Sequence, residues 1–535
     1  MSNKVMKGNK CQRTILFLLA IFWILLQTFF ALHQPVLSDD IGHFLLQEKF
    51  MEGEISFGEL FNSYYEDPNR HSRPTSVLLM SLMHLFSITK SAYLFWGILS
   101  VVNIYLFYKI LKLYFEDNNN TFITLAVVCV LLFPLSSANM FSVVMQHIQY
   151  IVFAVLLSIL LINKKSNWGH LVAGVLMVLS FLLYEINLFL TPLIGLLTIH
   201  RFGFNRNAVV KISLSLFLPL ILFAVFRLWL LKIIHSNYFD YGAAKVEFSL
   251  ERSFALMGAF VKLFTLDYFY ILYKSVTEMV NYHWYDFILL LLGVFISALI
   301  VRNLKKHEKL IPLKKIFISF FFFLLTLVLF FISVYPPIAF GFENRILIWV
   351  RYSSGLLVAL CLYQFLAFTK NKSYFVLSQI IVFIVLLFNI VAVISEKNSY
   401  IAASDYNRRL VVKLNDLFPD ADQSTKILVI TEKERSKNFI TDESLLEADY
   451  EVRDALQLYS KSKLEGGNIL FFNPSDYALY SFLGKGLNNR FKTEYHISDM
   501  GITIGKRTLS FPLYIYDLNT NKIQLISNSK EIALP

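Results

Sequence analysis

Residues 14–32 read "TILFLLAIFWILLQTFFAL", a stretch without a single charged residue. About 20 apolar residues in a helix match the hydrocarbon thickness of a bilayer, so this stretch predicts a membrane-spanning helix. Four basic residues between positions 4 and 13 should hold the N-terminus in the cytoplasm. A cleaved signal peptide would have a shorter apolar run and a small-residue cleavage site, which "ALHQPVL" (31–37) does not offer. We therefore expect an uncleaved first span.

The composition extends this prediction to most of the chain. Of the 535 residues, 56% are hydrophobic and only 16% are charged, whereas soluble domains carry about 25% charged residues. Further apolar runs start near residues 75, 91, 121, 142, 170, 209, 286, 316, 346 and 374. The pattern predicts a polytopic α-helical membrane protein with about 11 spans. The formal charge of +11 comes mainly from short basic clusters such as 302–315, which the positive-inside rule explains without a nucleic-acid partner.

The charge pattern also predicts a topology, with one alternative open in the first half. Residues 75–90 either span the membrane or lie along it, and 170–199 is either one long span or two short ones hinged at "YEIN" (184–187). Both consistent solutions place the first outer loop, 33–75, on the same outer side as the C-terminal tail. A second long outer loop, 233–285, contains an apolar segment that we expect to be interfacial or half-inserted.

Near residue 395 the composition changes to that of an ordinary polar domain. We therefore divide the chain into a membrane domain, 1–394, and an extracytoplasmic C-terminal domain, 395–535. The predicted strands are "KILVIT" (426–431), "NILFFN" (468–473), "SFPLYIYDL" (510–518) and "KIQLIS" (522–527), with a hairpin turn at 517–522. These elements predict a small α/β or α+β domain.

The stretch "LSDDIGHFLL" (37–46) places Asp39 and Asp40 side by side shortly after the first span. A solvated charge pair at a membrane boundary is the simplest interpretation. However, His43 follows one helical turn later, and Arg73 stands just ahead of the next apolar run. A positioned carboxylate can take the proton of an attacking hydroxyl, and arginine can stabilise a departing phosphate. Together these residues offer both halves of a glycosyl transfer.

This layout resembles the GT-C class of polyprenyl-phosphate-sugar-dependent glycosyltransferases. The shared features are one span, "SDDIGH" (38–43) in a long first outer loop, "RP" (73–74) at the next apolar run and many further spans. With the outer C-terminal domain, the layout also resembles bacterial serotype-modifying glucosyltransferases that act on O-antigen lipopolysaccharide. The resemblance implies a catalytic Asp39–Asp40 pair without assigning the base to either residue. It leaves open whether a divalent metal is a cofactor.

Two further charged residues are candidates for substrate binding. Glu185 interrupts the apolar run "SFLLYEINLFLTPL" (180–193), where a charge is costly and usually functional. Its "YE" resembles an element of bacterial members of the same class, although a structural Glu185 bonded to Tyr or Asn neighbours is equally compatible. Arg345 at an outer boundary either binds a lipid phosphate or places its guanidinium group in the membrane interface while its aliphatic part stays among the lipids.

The sequence thus predicts a bacterial inner-membrane glycosyltransferase. It would move a sugar from an undecaprenyl-phosphate or other polyprenyl-phosphate carrier to a cell-envelope glycan or lipid on the outer side. Asp39 or Asp40 would deprotonate the acceptor, Arg73 and Arg345 would hold the carrier phosphate, and His43 and Glu185 would shape the site. The alternatives are an O-antigen or polysaccharide polymerase and a flippase or transporter of lipid-linked sugars. A transporter should have more charged residues within its spans than this sequence offers.

Overall fold

The fold was analysed on a computed structural model of the chain. The structure describes residues 2–36, 39–66, 71, 73–85, 90–115, 120–142, 145–164, 167–234, 250–304, 310–332, 337–339, 342–369, 371–419, 422, 424–430, 449–460, 468–472, 495–504 and 507–531.

Helices dominate the chain as far as residue 417. The α-helices of the first part are α1 (Ser2–Leu32), α2 (Asp39–Met51), α3 (Phe57–Tyr65), α4 (Pro74–His84), α5 (Lys90–Tyr114), α6 (Asn120–Leu131), α7 (Ala138–Phe141), α8 (Ile148–Ile162), α9 (Asn167–Leu183) and α10 (Thr191–Phe202). Those of the second part are α11 (Arg206–Ile212), α12 (Leu218–Val225), α13 (Leu231–Ile234), α14 (Leu250–Lys262), α15 (Tyr268–Thr277), α16 (Trp284–Asn303), α17 (Leu313–Ile332), α18 (Ile348–Phe368) and α19 (Lys372–Leu417).

Short helical turns of other kinds join several of these helices. The 3-10 turns are Met145–His147, Glu185–Leu190, Glu278–Asn281 and Phe342–Leu347, and a further one near the C-terminus is Ser529–Glu531. The π-helical turns are Ser213–Phe217, Phe226–Leu230 and Leu263–Asp267.

Within the described residues, eight helical segments are long and apolar enough to cross a membrane, in agreement with a polytopic helical membrane protein. They are Cys11–Leu32, Tyr93–Tyr114, Arg206–Ile234, Leu250–Asn281, Trp284–Asn303, Leu313–Phe331, Asn344–Phe368 and Lys372–Leu417, and three shorter apolar helices accompany them. Only 22% of the most apolar window of Arg206–Ile234 is buried within the protein, and the same holds for Leu313–Phe331. Large apolar faces of these helices are thus available to membrane lipids.

The open alternatives of the first half have structural answers. The run at 75–90 contains the 11-residue helix α4, which is too short to span a bilayer on its own. The run at 170–199 is two helices, because the chain becomes extended at Tyr184 (φ −163°, ψ 136°) before the 3-10 turn Glu185–Leu190. The break lies at the predicted "YEIN" hinge.

The predicted interfacial segment, 253–274, lies within the continuous helical run Leu250–Asn281, which is also long and apolar enough to cross a membrane. Its contacts place the middle of the run at a different level of the bundle from its end. Phe260 packs near the C-terminal end of α17, with ring centroids of Phe260 and Phe330 5.5 Å apart. Tyr268 donates to Asn389 of α19 (3.0 Å), and the Ser275 carbonyl accepts a hydrogen bond from Ser395, which is almost two turns closer to the C-terminal end of α19.

The C-terminal domain has the predicted strands. β1 (Ile427–Ile430), β2 (Ile469–Phe472), β6 (Leu513–Asp517) and β7 (Lys522–Ile526) form one sheet in the order β2-β1-β6-β7, with β1 parallel to β2 and β6. α20 (Asp449–Ser460) lies between β1 and β2 in the sequence, and β6 and β7 form the expected hairpin. We did not predict the second, antiparallel sheet of β3 (Tyr495–Ser498), β4 (Gly501–Ile504) and β5 (Arg507–Ser510).

Helix α2 joins the two parts of the protein. Its fully buried Ile41 shares an apolar core with Leu414 of α19, Val429 of β1 and Leu456 of α20. The Gly42 backbone lies so close to α20 that a β-carbon there would stand 2.8 Å from the Asp454 carboxylate. The segment that contains α2 and the C-terminal domain therefore lie on the same side of the helical bundle. That this side is the outer face of the membrane stays a prediction.

Candidate functional site

The acidic pair begins helix α2, where a carboxylate is favoured by the positive end of the helix dipole. The Asp40 carboxylate is buried, with 1% of the residue exposed, and it accepts a hydrogen bond from Ser142 Oγ at 2.9 Å. Ser142 directly follows the short buried helix α7, and its bond to Asp40 joins residues 102 positions apart in the sequence. The Asp39 side chain lies outside the part of the structure that is described.

Asp40 shares one face of α2 with two other polar residues, His43 and Gln47. Residues spaced by three and four positions lie above one another on a helix, and these three are each at most 5% exposed. The opposite face of the same helix carries Ile41, which packs on the C-terminal domain. Helix α2 therefore points its polar face at the helical bundle while its apolar face binds the other domain.

The polar face of α2 continues into a buried hydrogen-bonded chain. Tyr64 Oη lies 2.5 Å from His43 Nδ1 and 2.5 Å from His84 Nε2. His84 Nδ1 lies 2.7 Å from Gln47 Oε1, so the chain returns to α2. Burial lowers the pKa of His84 to about 4, which keeps its imidazole neutral at physiological pH. We name this group the α2 chain: His43, Tyr64, His84 and Gln47.

The C-terminal domain contributes Tyr459 of α20 to the surroundings of Asp40. Burial raises the pKa of the Tyr459 phenol, Arg408 lowers it, and the charge of Asp40 raises it further, so this tyrosine lies within electrostatic reach of the carboxylate. The helical bundle and the C-terminal domain thus meet next to Asp40.

A second group, which we name the open cluster, consists of Arg73, Glu185 and Arg227. Arg73 Nη2 lies 3.2 Å from Glu185 Oε2, and Arg227 forms an ion pair with the other carboxylate oxygen. The Arg73 guanidinium also lies 4.1 Å above the ring of Tyr184, a favourable cation–π geometry. Two cations face one anion here, and the side chains remain 17–29% exposed. Counted over these three residues alone, the cluster has two positive charges and one negative charge.

Arg345 lies near both groups through backbone and amide contacts. Asn139 of α7, the helix that Ser142 follows, donates to the Arg345 carbonyl at 2.6 Å. Four residues after Arg345, Trp349 Nε1 donates to Asn187 Oδ1 at 2.8 Å, in the 3-10 turn that carries Glu185. The Arg345 segment thus connects α7, which Ser142 follows, with the 3-10 turn that carries Glu185.

An apolar cavity of about 80 Å³ extends from Trp349 into the bundle. Leu190 of the Glu185 turn, Phe107 and Tyr114 of α5 and Phe322 of α17 are among its lining residues. Because Trp349 also binds Asn187, the cavity lies beside the segment that holds Glu185. Polar and apolar features therefore adjoin in the manner that an amphiphilic lipid requires.

A third group, the closed cluster, is structurally complete. Asp286 at the start of α16 accepts hydrogen bonds from Lys397 Nζ (2.5 Å), Asn398 Nδ2 (2.9 Å) and the His283 backbone amide (3.0 Å). The Asp286 and Lys397 side chains are both 0% exposed. One cation and one anion with filled hydrogen bonds are what a buried pair requires, so this group ties α16 to α19.

The structure brings the predicted residues into two groups. Asp40 and His43 share the α2 face, and Arg73 and Glu185 are direct partners. The sequence did not reveal the participation of Tyr64, His84, Gln47 or Ser142. The spacing of positions 40, 43 and 47 could have indicated that these three side chains share one face of a helix. The pairing of Arg227 with Glu185 across 42 residues was not predictable from the sequence.

Among the described residues, no three His, Cys, Asp or Glu side chains stand together in a way that could hold a metal ion.

Comparisons with models of protein families, with curated proteins and with solved structures found no match to this chain.

Proposed function

We propose that this protein is a membrane glycosyltransferase that moves a sugar from a polyprenyl-phosphate carrier to a glycan or lipid of the bacterial cell envelope, on the outer face of the inner membrane. The observation that carries the proposal is the buried Asp40 carboxylate, fixed by Ser142 where the helical bundle meets the C-terminal domain. A buried carboxylate held in one orientation suits a general base better than a solvated surface charge does.

In this proposal Asp40 accepts the proton of an acceptor hydroxyl. The hydroxyl oxygen bonds to the anomeric carbon of the sugar as the bond between that carbon and the carrier phosphate oxygen breaks. The carrier phosphate leaves with the bonding electron pair, so the step requires no oxidant or nucleotide. The outcome is one glycosidic bond, one free carrier phosphate and one protonated carboxylate.

The open cluster and the adjoining cavity support a lipid-phosphate donor. Arg73 and Arg227 both present a guanidinium group at the partly exposed Glu185, and guanidinium groups are common ligands of phosphate. The apolar cavity beside Trp349 and Leu190 suits part of a hydrocarbon chain. Arg345, between the two groups, would add a further positive charge for the phosphate.

The test compares envelope glycans by mass spectrometry from cells that express the intact chain, Asp39→Asn, Asp40→Asn or an empty vector. Asp416→Asn is a matched control, because Asp416 is an exposed carboxylate on α19. We expect a sugar-sized mass gain with the intact chain and the control, and its loss with Asp40→Asn. A mass gain that survives both acid substitutions would refute the proposed base, and no gain with the intact chain would refute glycosyl transfer.

Buried charge favours a second candidate, a transporter of lipid-linked sugars. Besides Glu185 and Arg227, the helices bury Arg351 and Glu396, each at most 3% exposed, and the closed cluster. Ionisable groups inside membrane helices often mark transport pathways. This candidate predicts an accumulated lipid-linked precursor, without a mass gain on the acceptor, in the same set of cells.

A further inference from the structure

The apolar cavity of the helical bundle offers little to a water molecule. Among its lining residues, four have polar side chains: Tyr114, Ser319, Trp349 and Tyr352. The hydroxyls of Tyr114 and Ser319 and the indole of Trp349 each donate a hydrogen bond to another protein oxygen, at 2.8–3.1 Å. Because these polar groups already have partners, the cavity is better suited to an apolar ligand than to water.

The cavity is accessible at one end. Among its described lining residues, only Tyr114, the last residue of α5, and Ile318, near the start of α17, remain partly exposed, and the others are buried. At the other end of the cavity, Trp349 and Leu190 adjoin the 3-10 turn that carries Glu185. The cavity therefore leads from the neighbourhood of the open cluster to a gap between α5 and α17. We name the position between Tyr114 and Ile318 the distal gap.

The distal gap lies on the side of the bundle away from α2. Tyr93, near the start of α5, donates to the Pro35 carbonyl at 2.7 Å, just before α2 begins. Tyr114 is 21 positions further along the same helix, which corresponds to a distance of about 30 Å. This distance matches the hydrocarbon thickness of a bilayer. The distal gap is therefore at the membrane surface opposite to α2 and Asp40.

The open cluster indicates which apolar ligand the cavity suits. Arg73 and Arg227 present guanidinium groups at Glu185, beside one end of the cavity, and such groups are common ligands of phosphate. An isoprenoid phosphate matches both features, with its phosphate at the open cluster and its chain in the cavity.

The cavity is too short for a complete long-chain carrier. Its lining residues on α5 extend from Phe107 to Phe115, a rise of about 12 Å along the helix. An extended undecaprenyl chain is several times longer than this rise, so most of the chain has to lie outside the cavity. The distal gap is the place where the lining residues allow the chain to leave.

We propose that the polyprenyl chain of the donor runs from the open cluster through this cavity and leaves by the distal gap, so that Tyr114 and Ile318 determine whether a long-chain carrier can bind. This inference rests on the proposed function, since it takes the occupant to be the sugar carrier. A lipid phosphate whose chain ends inside the cavity does not reach the distal gap, so its binding does not depend on these two residues. Selection of chain length and chemistry at the phosphate would thus occur at opposite surfaces of the membrane.

The first experiment compares the binding of undecaprenyl phosphate and geranyl phosphate to the full chain by native mass spectrometry. Ile318→Trp places a large ring in the distal gap. We expect about tenfold weaker binding of undecaprenyl phosphate, because the chain and the ring compete for one space, and unchanged binding of the short geranyl phosphate.

Phe317→Trp is the matched control, because Phe317 is 62% exposed and is not among the described lining residues. It should leave the binding of both lipids unchanged. Equal binding of undecaprenyl phosphate by Ile318→Trp and by the control would overturn the proposal. An equal loss of both lipids in Ile318→Trp would also overturn it, because selection by chain length would be absent.

A second measurement uses the unmodified protein, so it stays decisive if Ile318→Trp fails to fold. A farnesyl phosphate analogue with a photoreactive diazirine at its chain end is cross-linked to the protein in membrane vesicles, with and without excess undecaprenyl phosphate. We expect cross-links on the last turn of α5 and the first turns of α17, and their loss with the competitor. Cross-links confined to other helices would overturn the proposed path. Equally effective competition by phosphatidylglycerol would show a general lipid cavity and would overturn it as well.

Failure of this proposal and failure of the proposed function give different results. A protein that binds undecaprenyl phosphate through the distal gap but transfers no sugar would refute the proposed function and leave the chain path standing. A protein that transfers sugar from an undecaprenyl carrier equally well with and without Ile318→Trp would refute the chain path and leave the proposed function standing.

Discussion

The closed cluster and the open cluster are each built on a carboxylate within the helical part of the protein, yet they differ in the number of cations at that carboxylate and in solvent access. Asp286 faces one lysine, and both side chains are 0% exposed. Glu185 faces two arginines, and all three side chains retain 17–29% exposure. A single ion pair without access to solvent is suited to holding helices together, whereas two arginines at a partly accessible carboxylate are suited to receiving an anion. We therefore expect the two clusters to have separate roles, one structural and one in binding.

Asp286→Asn should produce the largest loss of stability, since it leaves the Lys397 charge buried without a counterion. We expect a decrease of about 3–5 kcal/mol in the free energy of unfolding, measured by thermal or denaturant unfolding in detergent. The double variant Asp286→Asn/Lys397→Met removes both charges and should recover much of the loss. A single variant as stable as the intact protein would contradict a structural role for the closed cluster.

The α2 chain adds the buried neutral imidazole of His84 to the comparison, and its contribution to the free energy of unfolding should depend on pH. His84 has a pKa of about 4 in the folded protein, below the ordinary value of 6.5, so the unfolded chain binds more protons between these pH values. The contribution of His84 to the free energy of unfolding should be fully present above pH 6.5. It should decrease by about 3 kcal/mol as the pH falls to 4. His84→Gln should flatten this part of the unfolding-versus-pH curve, and an unchanged slope would contradict the prediction.

Glu185→Gln should have the smallest effect on stability, about 1–2 kcal/mol, because water can reach the two arginines once their partner is neutral. The same change removes the anion that competes for Arg73 and Arg227. We expect the variant to bind a polyprenyl phosphate about tenfold more tightly, measured by native mass spectrometry. Weaker binding would show that Glu185 orients the arginines instead of competing with the ligand.

Much of the fold could be predicted because local patterns determine it. Apolar length identified the helices, the break at Tyr184 followed from a charge inside an apolar run, and four strands followed from short apolar runs bounded by polar residues. The sheet of β3–β5 was missed, since segments such as "YHIS" (495–498) and "RTLS" (507–510) carry weak alternation. Their pairing depends on neighbouring strands more than on their own composition.

The candidate site was predictable only within single segments. Asp40 and His43 lie three residues apart, so one helix brings them together. Tyr64 and His84 reach His43 across 20 or more residues, and Ser142 reaches Asp40 across 102. Such contacts are decided by tertiary packing, for which a single sequence carries no local signal.

Helix α19 places a mechanical constraint on the protein. Its 46 residues form one helix about 70 Å long, so the change in composition near residue 395 falls inside a continuous rod. The C-terminal domain packs on the far end of this rod through Val411 and Leu414. A swing of that domain would have to bend the helix or carry its membrane half along as a lever. Truncations and fusion junctions intended to separate the two parts should therefore avoid the interval from 395 to 417.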